Sequence, residues 1–298
     1  MNRREFTKAS LATVSLAALG PSLADNEHLI RKAIPSSGEM VPVIGLGTNR
    51  YGADESEAAR APLRAALHRF HDLGGTLIDT APQYRSSETV LGDLIAELDI
   101  RDDLFVATKT DKSGAADTRA QMASSALKLK TQKFDLMQVH NLLGWSTALP
   151  VMREWQQEGR IRYIGMSTSR ADQYEEFEAV MRKEKLDFIQ INYSLEQREA
   201  ADRILPLAAD RGVAVIINRA FGGGRIFGAV EDNPLPGWAH EFDCDSWAQF
   251  LLKYAVGHAA ATLAIPGMTK VHHVDDNFGA ARGRLPDADE RKRQEAFF

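Results

Sequence analysis

The stretch GTLIDTAPQYRSSETVLGDLIAELD, residues 75–99, contains the unit that repeats through the rest of the chain. It begins with a short apolar run, GTLID, and continues through a polar loop. It ends in a segment that places Val90, Leu91, Leu94 and Leu98 on one side of a helix. A run this short and apolar suits a strand buried on both faces, as in a parallel sheet. The stretch therefore predicts a strand followed by an amphipathic helix.

Eight apolar runs of this kind alternate with amphipathic stretches along the chain. Strands that alternate with helices indicate βαβ units and a parallel sheet. Eight units favour closure into an α/β fold of the (β/α)8 TIM barrel type, since doubly wound sheets more often have about five or six strands. The runs are VPVIGLG (41–47), GTLID (75–79), LFVATK (104–109), FDLMQVH (134–140), RYIGMS (162–167), DFIQIN (187–192), GVAVIIN (212–218) and ATLAIP (261–266).

The connection before the last predicted strand is longer than the others. Its excess, GGGRIFGAVEDNPLPGWAHEFDCDS at residues 222–246, is rich in glycine, proline and aromatic residues. Long loops in compact domains are usually functional. We expect this loop to overhang the carboxyl ends of the strands. Trp238 on this loop and Trp145 on another are candidates for the substrate pocket, and scattered surface aromatics are the alternative.

The N-terminus has the form of an export signal. A basic segment, NRREFTK at residues 2–8, precedes a short apolar run and the small-x-small sequence at residues 22–24. The paired Arg3 and Arg4 resemble a twin-arginine signal, although an ordinary basic start with a chance arginine pair is the alternative. We predict a signal peptide at 1–24 and a barrel domain at 25–298. The protein would be exported folded to the periplasm by the twin-arginine machinery, without stable insertion in the membrane.

Composition excludes several other classes of protein. The 298 residues carry a formal net charge of −5, and no stripe of lysine and arginine stands out, so we expect no nucleic-acid partner. The single cysteine, Cys244, cannot form an internal disulfide, and no zinc-ligand spacing is present. His272 and His273 are adjacent, and adjacent positions on a helix point about 100° apart, so we expect no metal site there.

Several of the predicted strands have a polar residue at their carboxyl end. Active sites of these barrels lie at the carboxyl ends of the strands. The second, third and fourth runs end in Asp79, Lys109 and His140, and Tyr84 follows Asp79 by five residues on the loop that leaves that strand. A buried charge needs a partner, so Asp79 and Lys109 should pair. We expect the ammonium of Lys109 to lower the pKa of Tyr84, which would protonate a carbonyl oxygen while His140 orients it.

These residues lie in motifs that resemble those of the aldo/keto reductase family. GTLIDTAPQYRSSETVLG is similar to the family signature that contains its aspartate and tyrosine. FVATK and DLMQVHN are similar to the segments that contain its lysine and histidine, and EGRIRYIGMSTS and DFIQINYSL to its next two strands. The resemblance covers residues 40–280. It implies hydride transfer between a nicotinamide cofactor and a small carbonyl compound, with Asp79, Tyr84, Lys109 and His140 as the catalytic residues.

The resemblance also implies residues that hold NADP(H). Ser167 and Gln190 would hold the nicotinamide carboxamide. Gly222 and Gly223 would let the backbone approach the pyrophosphate, and Arg219 is a further candidate contact there. IPGMTKVHHVDDN, residues 265–277, is similar to the segment that holds the adenosine phosphate and adenine. There Lys270 would contact the phosphate, and Asp276 and Asn277 the adenine.

Three positions depart from the family pattern. Arg85 replaces the glycine that usually follows the tyrosine. Asn218 replaces an aromatic residue that commonly stacks on the nicotinamide, for which Arg219 or Phe221 could substitute. His273 replaces a second phosphate-binding arginine. The leading interpretation is a periplasmic NADPH-dependent carbonyl reductase. The alternatives are a nicotinamide-binding sensor or regulatory subunit on the same barrel, and a metal-dependent barrel hydrolase, for which His140 alone supplies too few ligands.

Overall fold

The computed structural model describes residues 29–52, 54 and 56–298, so the predicted signal peptide lies outside the described residues. The strands are β1 Arg31–Ala33, β2 Met40–Pro42, β3 Leu46–Gly47, β4 Leu77–Asp79, β5 Phe105–Thr110, β6 Phe134–His140, β7 Ile161–Ser167, β8 Phe188–Asn192, β9 Ala214–Asn218 and β10 Leu263–Ala264. The helices are α1 Glu57–Asp72, α2 Ser87–Leu98, α3 Ala115–Lys128, α4 Trp145–Gln157, α5 Tyr174–Lys183, α6 Ala200–Asp210, α7 Arg225–Val230, α8 Trp247–Gly257, α9 Val271–Gly279 and α10 Ala288–Phe297.

Strands β3 to β10 form one parallel sheet in chain order. Its first and last strands meet through backbone hydrogen bonds. The amide of Gly45 donates to the carbonyl of Ala264 across 2.8 Å, and that of Gly47 donates to Pro266 across 2.9 Å. A Cβ on Gly47 would lie 2.7 Å from the Ile265 carbonyl oxygen, so this close approach requires glycine. The sheet closes on itself, which confirms the predicted (β/α)8 barrel.

The barrel interior changes from apolar to polar along each strand. Side chains two residues apart point to the same face of a strand. In β6 the inward set is Leu136, Gln138 and His140, and in β8 it is Phe188, Gln190 and Asn192. Apolar residues fill the amino-terminal half as a core separate from the larger one between sheet and helices. The carboxyl-terminal end is therefore the polar end of the barrel.

The N-terminal hairpin corrects one boundary of the sequence prediction. The run 41–47 was predicted as the first barrel strand, but Met40–Pro42 pairs antiparallel with β1, and only Leu46–Gly47 is a regular barrel strand. The hairpin closes the amino-terminal end of the barrel, because Ile34 and Val41 belong to the inner apolar core. The sequence does not separate the hairpin strand from the barrel strand within this run, because both halves of the run are apolar and buried.

The long connection after β9 contains α7 and two short 3-10 turns. Its first residues lie over the carboxyl ends of the strands, as predicted, since Phe221, Gly223 and Gly224 line the cavity there. Within the part of the chain that the structure describes, no helix is long and apolar enough to cross a membrane.

Candidate active site

A cavity of about 440 Å³ lies at the carboxyl-terminal end of the barrel. Its walls come from the ends of several strands and from the loops that follow them. Of the residues predicted for the site, those that line it are Asp79, Tyr84, His140, Ser167, Gln190, Arg219 and Gly223. The barrel thus brings together side chains that are far apart in the sequence.

Lys109 and Asp79 form a buried ion pair beneath this cavity. The Lys109 ammonium donates to Asp79 Oδ2 across 2.6 Å and to the Thr80 carbonyl across 2.9 Å. Burial alone would lower the pKa of Lys109, but the charge of Asp79 and the presence of Tyr84 outweigh burial, and the pKa is raised above its ordinary value. Lys109 is therefore a permanent cation. The predicted pairing of these two residues is present in the structure.

Gln138 holds the other oxygen of this carboxylate. Its Nε2 donates to Asp79 Oδ1 across 3.1 Å, so both carboxylate oxygens are engaged. The sequence interpretation did not single out Gln138. The available signal was its position two residues before His140, on the same face of a buried strand, where an apolar residue would otherwise be expected.

Tyr84 lies on the loop after β4 and points over the pair. The Lys109 nitrogen is 5.2 Å from the centre of the Tyr84 ring. The expected direction of the pKa shift was wrong. Burial raises the pKa of Tyr84 above its ordinary value, and the Lys109 charge opposes this shift without reversing it. The Tyr84 hydroxyl is therefore fully protonated at neutral pH and available as a proton donor.

His140 faces Tyr84 across the cavity. The two rings meet edge to face with centres 6.1 Å apart. Burial and the nearby Lys109 cation lower the pKa of His140 to about 4. The imidazole is therefore neutral at physiological pH, with one nitrogen able to donate a hydrogen bond and no net charge. Together, Tyr84 and His140 form a pair of neutral donors above a buried cation.

Backbone strain is concentrated around this site. Arg85, Asn141, Leu142 and Arg219 all have positive φ angles, between 51° and 61°. Non-glycine residues in this conformation are uncommon, and strain of this kind often accompanies functional sites. Arg85 follows Tyr84 directly, Asn141 follows His140, and Arg219 follows the end of β9. The φ of 56° at Arg85 explains why glycine would suit that position.

Two unsatisfied polar atoms belong to side chains that line the cavity. Gln190 Nε2 and Asn218 Oδ1 are buried and have no hydrogen-bond partner among the residues that the structure describes. Ser167 lies beside Gln190 in the register of β7 and β8, and its hydroxyl donates to the Val139 carbonyl across 3.2 Å. A free donor and a free acceptor are the complement of a primary amide, so this wall fits the carboxamide of a nicotinamide.

The glycine-rich turn after β9 has the conformation that only glycine adopts easily. Gly222, Gly223 and Gly224 have φ angles of 57°, 74° and 96°. Gly223 lines the cavity, whereas Gly222 packs on Glu196, whose Oε2 a Cβ would approach to 2.0 Å. Arg219 also lines the cavity.

The residues predicted to bind adenosine phosphate and adenine lie at one edge of the site. His273 lines the cavity, and Lys270 is an exposed residue at the N-terminus of α9. Asn277 is buried on that helix. Asp276 Oδ1 accepts from Ser246 across 2.6 Å and from Gln249 across 3.1 Å, so this carboxylate also holds the N-terminus of α8. Lys270, Asp276 and Asn277 do not line the cavity.

Three other residues considered in the sequence lie away from the cavity. The Trp145 indole donates to Glu176 across 3.2 Å, Trp238 packs against Phe250, and neither tryptophan lines the cavity. Cys244 is buried, and burial raises its pKa to about 12, which disfavours the reactive thiolate. Among residues 29–52, 54 and 56–298, no group of three or more His, Cys, Asp or Glu is arranged to hold a metal ion.

Comparisons with known proteins agree with the fold and the motifs. The chain is 31% identical to the aldo-keto reductase YhdN of Bacillus subtilis over 67% of its length, and it spans 64% of that relative. It is 27% identical to the NADH-specific methylglyoxal reductase of Escherichia coli, over 66% of this chain and 68% of that protein.

A solved structure has the same architecture. The aldo/keto reductase from Klebsiella pneumoniae in complex with NADP and acetate superposes with a TM-score of 0.77 at 24% identity. The match covers 91% of this chain and 96% of the other. The model of the Aldo/keto reductase family matches residues 43–296, nearly the whole of the barrel. The chain belongs to the aldo/keto reductase family.

Proposed function

We propose that this protein is a nicotinamide-dependent oxidoreductase that reduces small aldehydes or ketones to alcohols, with Tyr84 as the general acid. One observation carries the proposal: Tyr84 and His140 face each other across a cavity whose floor is the buried Asp79–Lys109 pair. Family membership supports the reaction class. A bound reduced nicotinamide would supply the hydride.

The residues of the chain supply the proton and the orientation. The neutral imidazole of His140 donates a hydrogen bond to the carbonyl oxygen and sets its direction. The Tyr84 hydroxyl gives its proton to the same oxygen as negative charge develops there. The phenolate left behind is stabilised by the Lys109 ammonium, which the Asp79 carboxylate and Gln138 hold in place. Solvent can then return the proton to Tyr84 at the open side of the cavity.

The cofactor assignment rests on this chain and on its relatives together. The unsatisfied Gln190 and Asn218 atoms fit a carboxamide, which both nicotinamide dinucleotides carry. We propose NADP(H) as the preferred form because Lys270 offers an exposed cation at the N-terminus of α9, where a phosphate binds favourably. The solved Klebsiella relative contains NADP, and the Escherichia relative is named as NADH-specific. Tighter binding of NADH than of NADPH would contradict this preference.

Steady-state turnover distinguishes an enzyme from the sensor or regulatory alternative. The purified protein is mixed with NADPH and a series of small aldehydes and ketones, including methylglyoxal. We expect carbonyl-dependent oxidation of NADPH with one alcohol formed per cofactor consumed. Tight NADPH binding without turnover of any carbonyl compound would favour the regulatory function instead.

We further propose that residues 1–24 form a twin-arginine signal and that the domain at 25–298 acts in the periplasm. The support is the sequence pattern of paired arginines, apolar run and small-x-small site. Replacing Arg3 and Arg4 together by lysine should leave precursor in the cytoplasm. Normal export of this variant would indicate a general secretory signal.

A further inference from the structure

We infer that Asn218 is a cofactor-binding residue whose side-chain oxygen accepts a hydrogen bond from the amide nitrogen of the nicotinamide carboxamide. This inference rests on the proposed function. It assigns a polar role to the position at which the family resemblance leads one to expect a stacking aromatic ring.

The orientation of the Asn218 amide is determined by its neighbour. Asn218 Nδ2 donates to the Thr168 carbonyl across 3.2 Å. The opposite orientation would bring two oxygen atoms together, so the side-chain oxygen is the atom left free. Oδ1 is buried and has no hydrogen-bond partner in the described part of the chain, and the residue lines the cavity. Oδ1 is therefore the acceptor in this wall that is left to be paired, and because the atom is itself buried, a bound group reaches it with a small shift of the side chain.

A buried acceptor without a partner is unfavourable, and most buried polar groups in native proteins are paired. On the neighbouring strand, the donor Gln190 Nε2 is also buried and has no partner among the described residues. Gln190 is opposite Ile216 in the register, two residues before Asn218. The Cα atoms of the two polar residues are thus about 8 Å apart, given strand spacings of about 4.8 Å and a rise of about 3.3 Å per residue.

A primary carboxamide satisfies both groups, because it carries an NH₂ donor and a carbonyl acceptor. A substrate carbonyl could accept from Gln190 but has no hydrogen to donate to Asn218. The chemistry of the two unsatisfied atoms therefore favours the carboxamide over the substrate as the ligand of Asn218.

Asn192 provides a matched control. Asn192 is the register partner of Asn218, and its Nδ2 also donates to a backbone carbonyl, that of Ser169, across 3.0 Å. Its Oδ1 is likewise buried with no partner within residues 29–52, 54 and 56–298. It does not line the cavity. The two asparagines thus differ chiefly in their access to a ligand.

The test uses two oxidised dinucleotides, NADP⁺ and its 3-acetylpyridine analogue, which keeps the carbonyl but has a methyl group in place of the NH₂. Binding is measured by protein fluorescence titration, without turnover. We expect the wild type and Asn192→Ala to bind NADP⁺ about 5–10-fold more tightly than the analogue, the effect of one hydrogen bond. Asn218→Ala should bind NADP⁺ about 5–10-fold more weakly than the wild type and lose most of the discrimination between the two.

Equal discrimination in the wild type and Asn218→Ala would overturn the assignment, with Gln190 or water as the remaining acceptor. Equal binding of both dinucleotides by the wild type would also overturn it, while leaving the proposed function intact. If the wild type binds NAD⁺ but not NADP⁺, the same comparison is made with NAD⁺ and its 3-acetylpyridine analogue. Failure of the wild type to bind either NADP⁺ or NAD⁺ would overturn the assignment and the proposed function together. Thermal unfolding of both alanine variants shows whether either one has lost its fold.

Discussion

The Lys109 ammonium and the Asp79 carboxylate meet across 2.6 Å with side chains only 1% and 2% exposed to solvent. Removing one member leaves the other charge buried and unpaired, which typically destabilises a protein by about 3–5 kcal/mol. We therefore expect Lys109→Met to unfold in urea with a free energy lower by that amount. The double variant Asp79→Leu with Lys109→Met should regain most of the lost free energy of unfolding, and it should remain inactive.

The exposed pair Arg170–Asp172 is the control for this prediction. Exposed pairs contribute about 0–1 kcal/mol, so Arg170→Met should change the free energy of unfolding little. If the losses of the single variants Asp79→Leu and Lys109→Met add strictly in the double variant, the two charges are not coupled.

The pH dependence of turnover follows from two pKa shifts. The pKa of His140 is lowered to about 4, so the imidazole becomes charged only in acid. The pKa of Tyr84 is raised, so the hydroxyl loses its proton only above its ordinary range. With saturating NADPH, kcat/KM for the carbonyl substrate should be nearly constant from about pH 5.5 to 9. A pH–rate profile that falls between pH 7 and 9 would instead support a lowered pKa of Tyr84.

Arg85 combines positive φ with an exposed side chain next to the proposed general acid. Left-handed backbone disfavours a residue with a Cβ by about 1–2 kcal/mol, and the greater chain entropy of glycine offsets part of this. Arg85→Gly should therefore raise the free energy of unfolding by about 0.5–1 kcal/mol. Arg85→Ala, which keeps the Cβ, should not. Equal stability of the two variants in urea would contradict strain at this position.

The choice of cofactor should depend on Lys270. A charge-assisted hydrogen bond contributes about 1.5–3 kcal/mol, so Lys270→Ala should weaken NADPH binding by that amount and leave NADH binding nearly unchanged. Burial lowers the pKa of His273, aided by the neighbouring His272 and Lys270, so His273 adds little charge at neutral pH. The preference should then change little between pH 6 and 8, in contrast to what the residue type alone suggests. Fluorescence titration of both cofactors checks this, with the exposed Lys292→Ala as control.

The sequence predicted the barrel and the grouping of the site residues because both depend on periodicity and strand order. Asp79 and His140 end their strands and Lys109 lies one residue before the end of the strand between them, and a closed parallel sheet must place such ends on one rim. The direction of the Tyr84 shift could not be predicted, because it depends on how completely the loop buries the ring. The free oxygen of Asn218 could not be predicted either. The orientation of its side chain depends on a hydrogen bond that Nδ2 donates to a backbone carbonyl fifty residues earlier in the chain.

The central claim is that Tyr84 protonates the carbonyl oxygen, and Tyr84→Phe tests it most directly. The variant removes one hydroxyl from a ring that packs beside Lys109 and His140. NADPH affinity and carbonyl turnover should be measured on the same preparation. We predict nearly unchanged NADPH binding and a kcat lower by about 10²–10⁴-fold, the usual contribution of a general acid. Retention of most of the wild-type kcat would contradict the assignment of Tyr84.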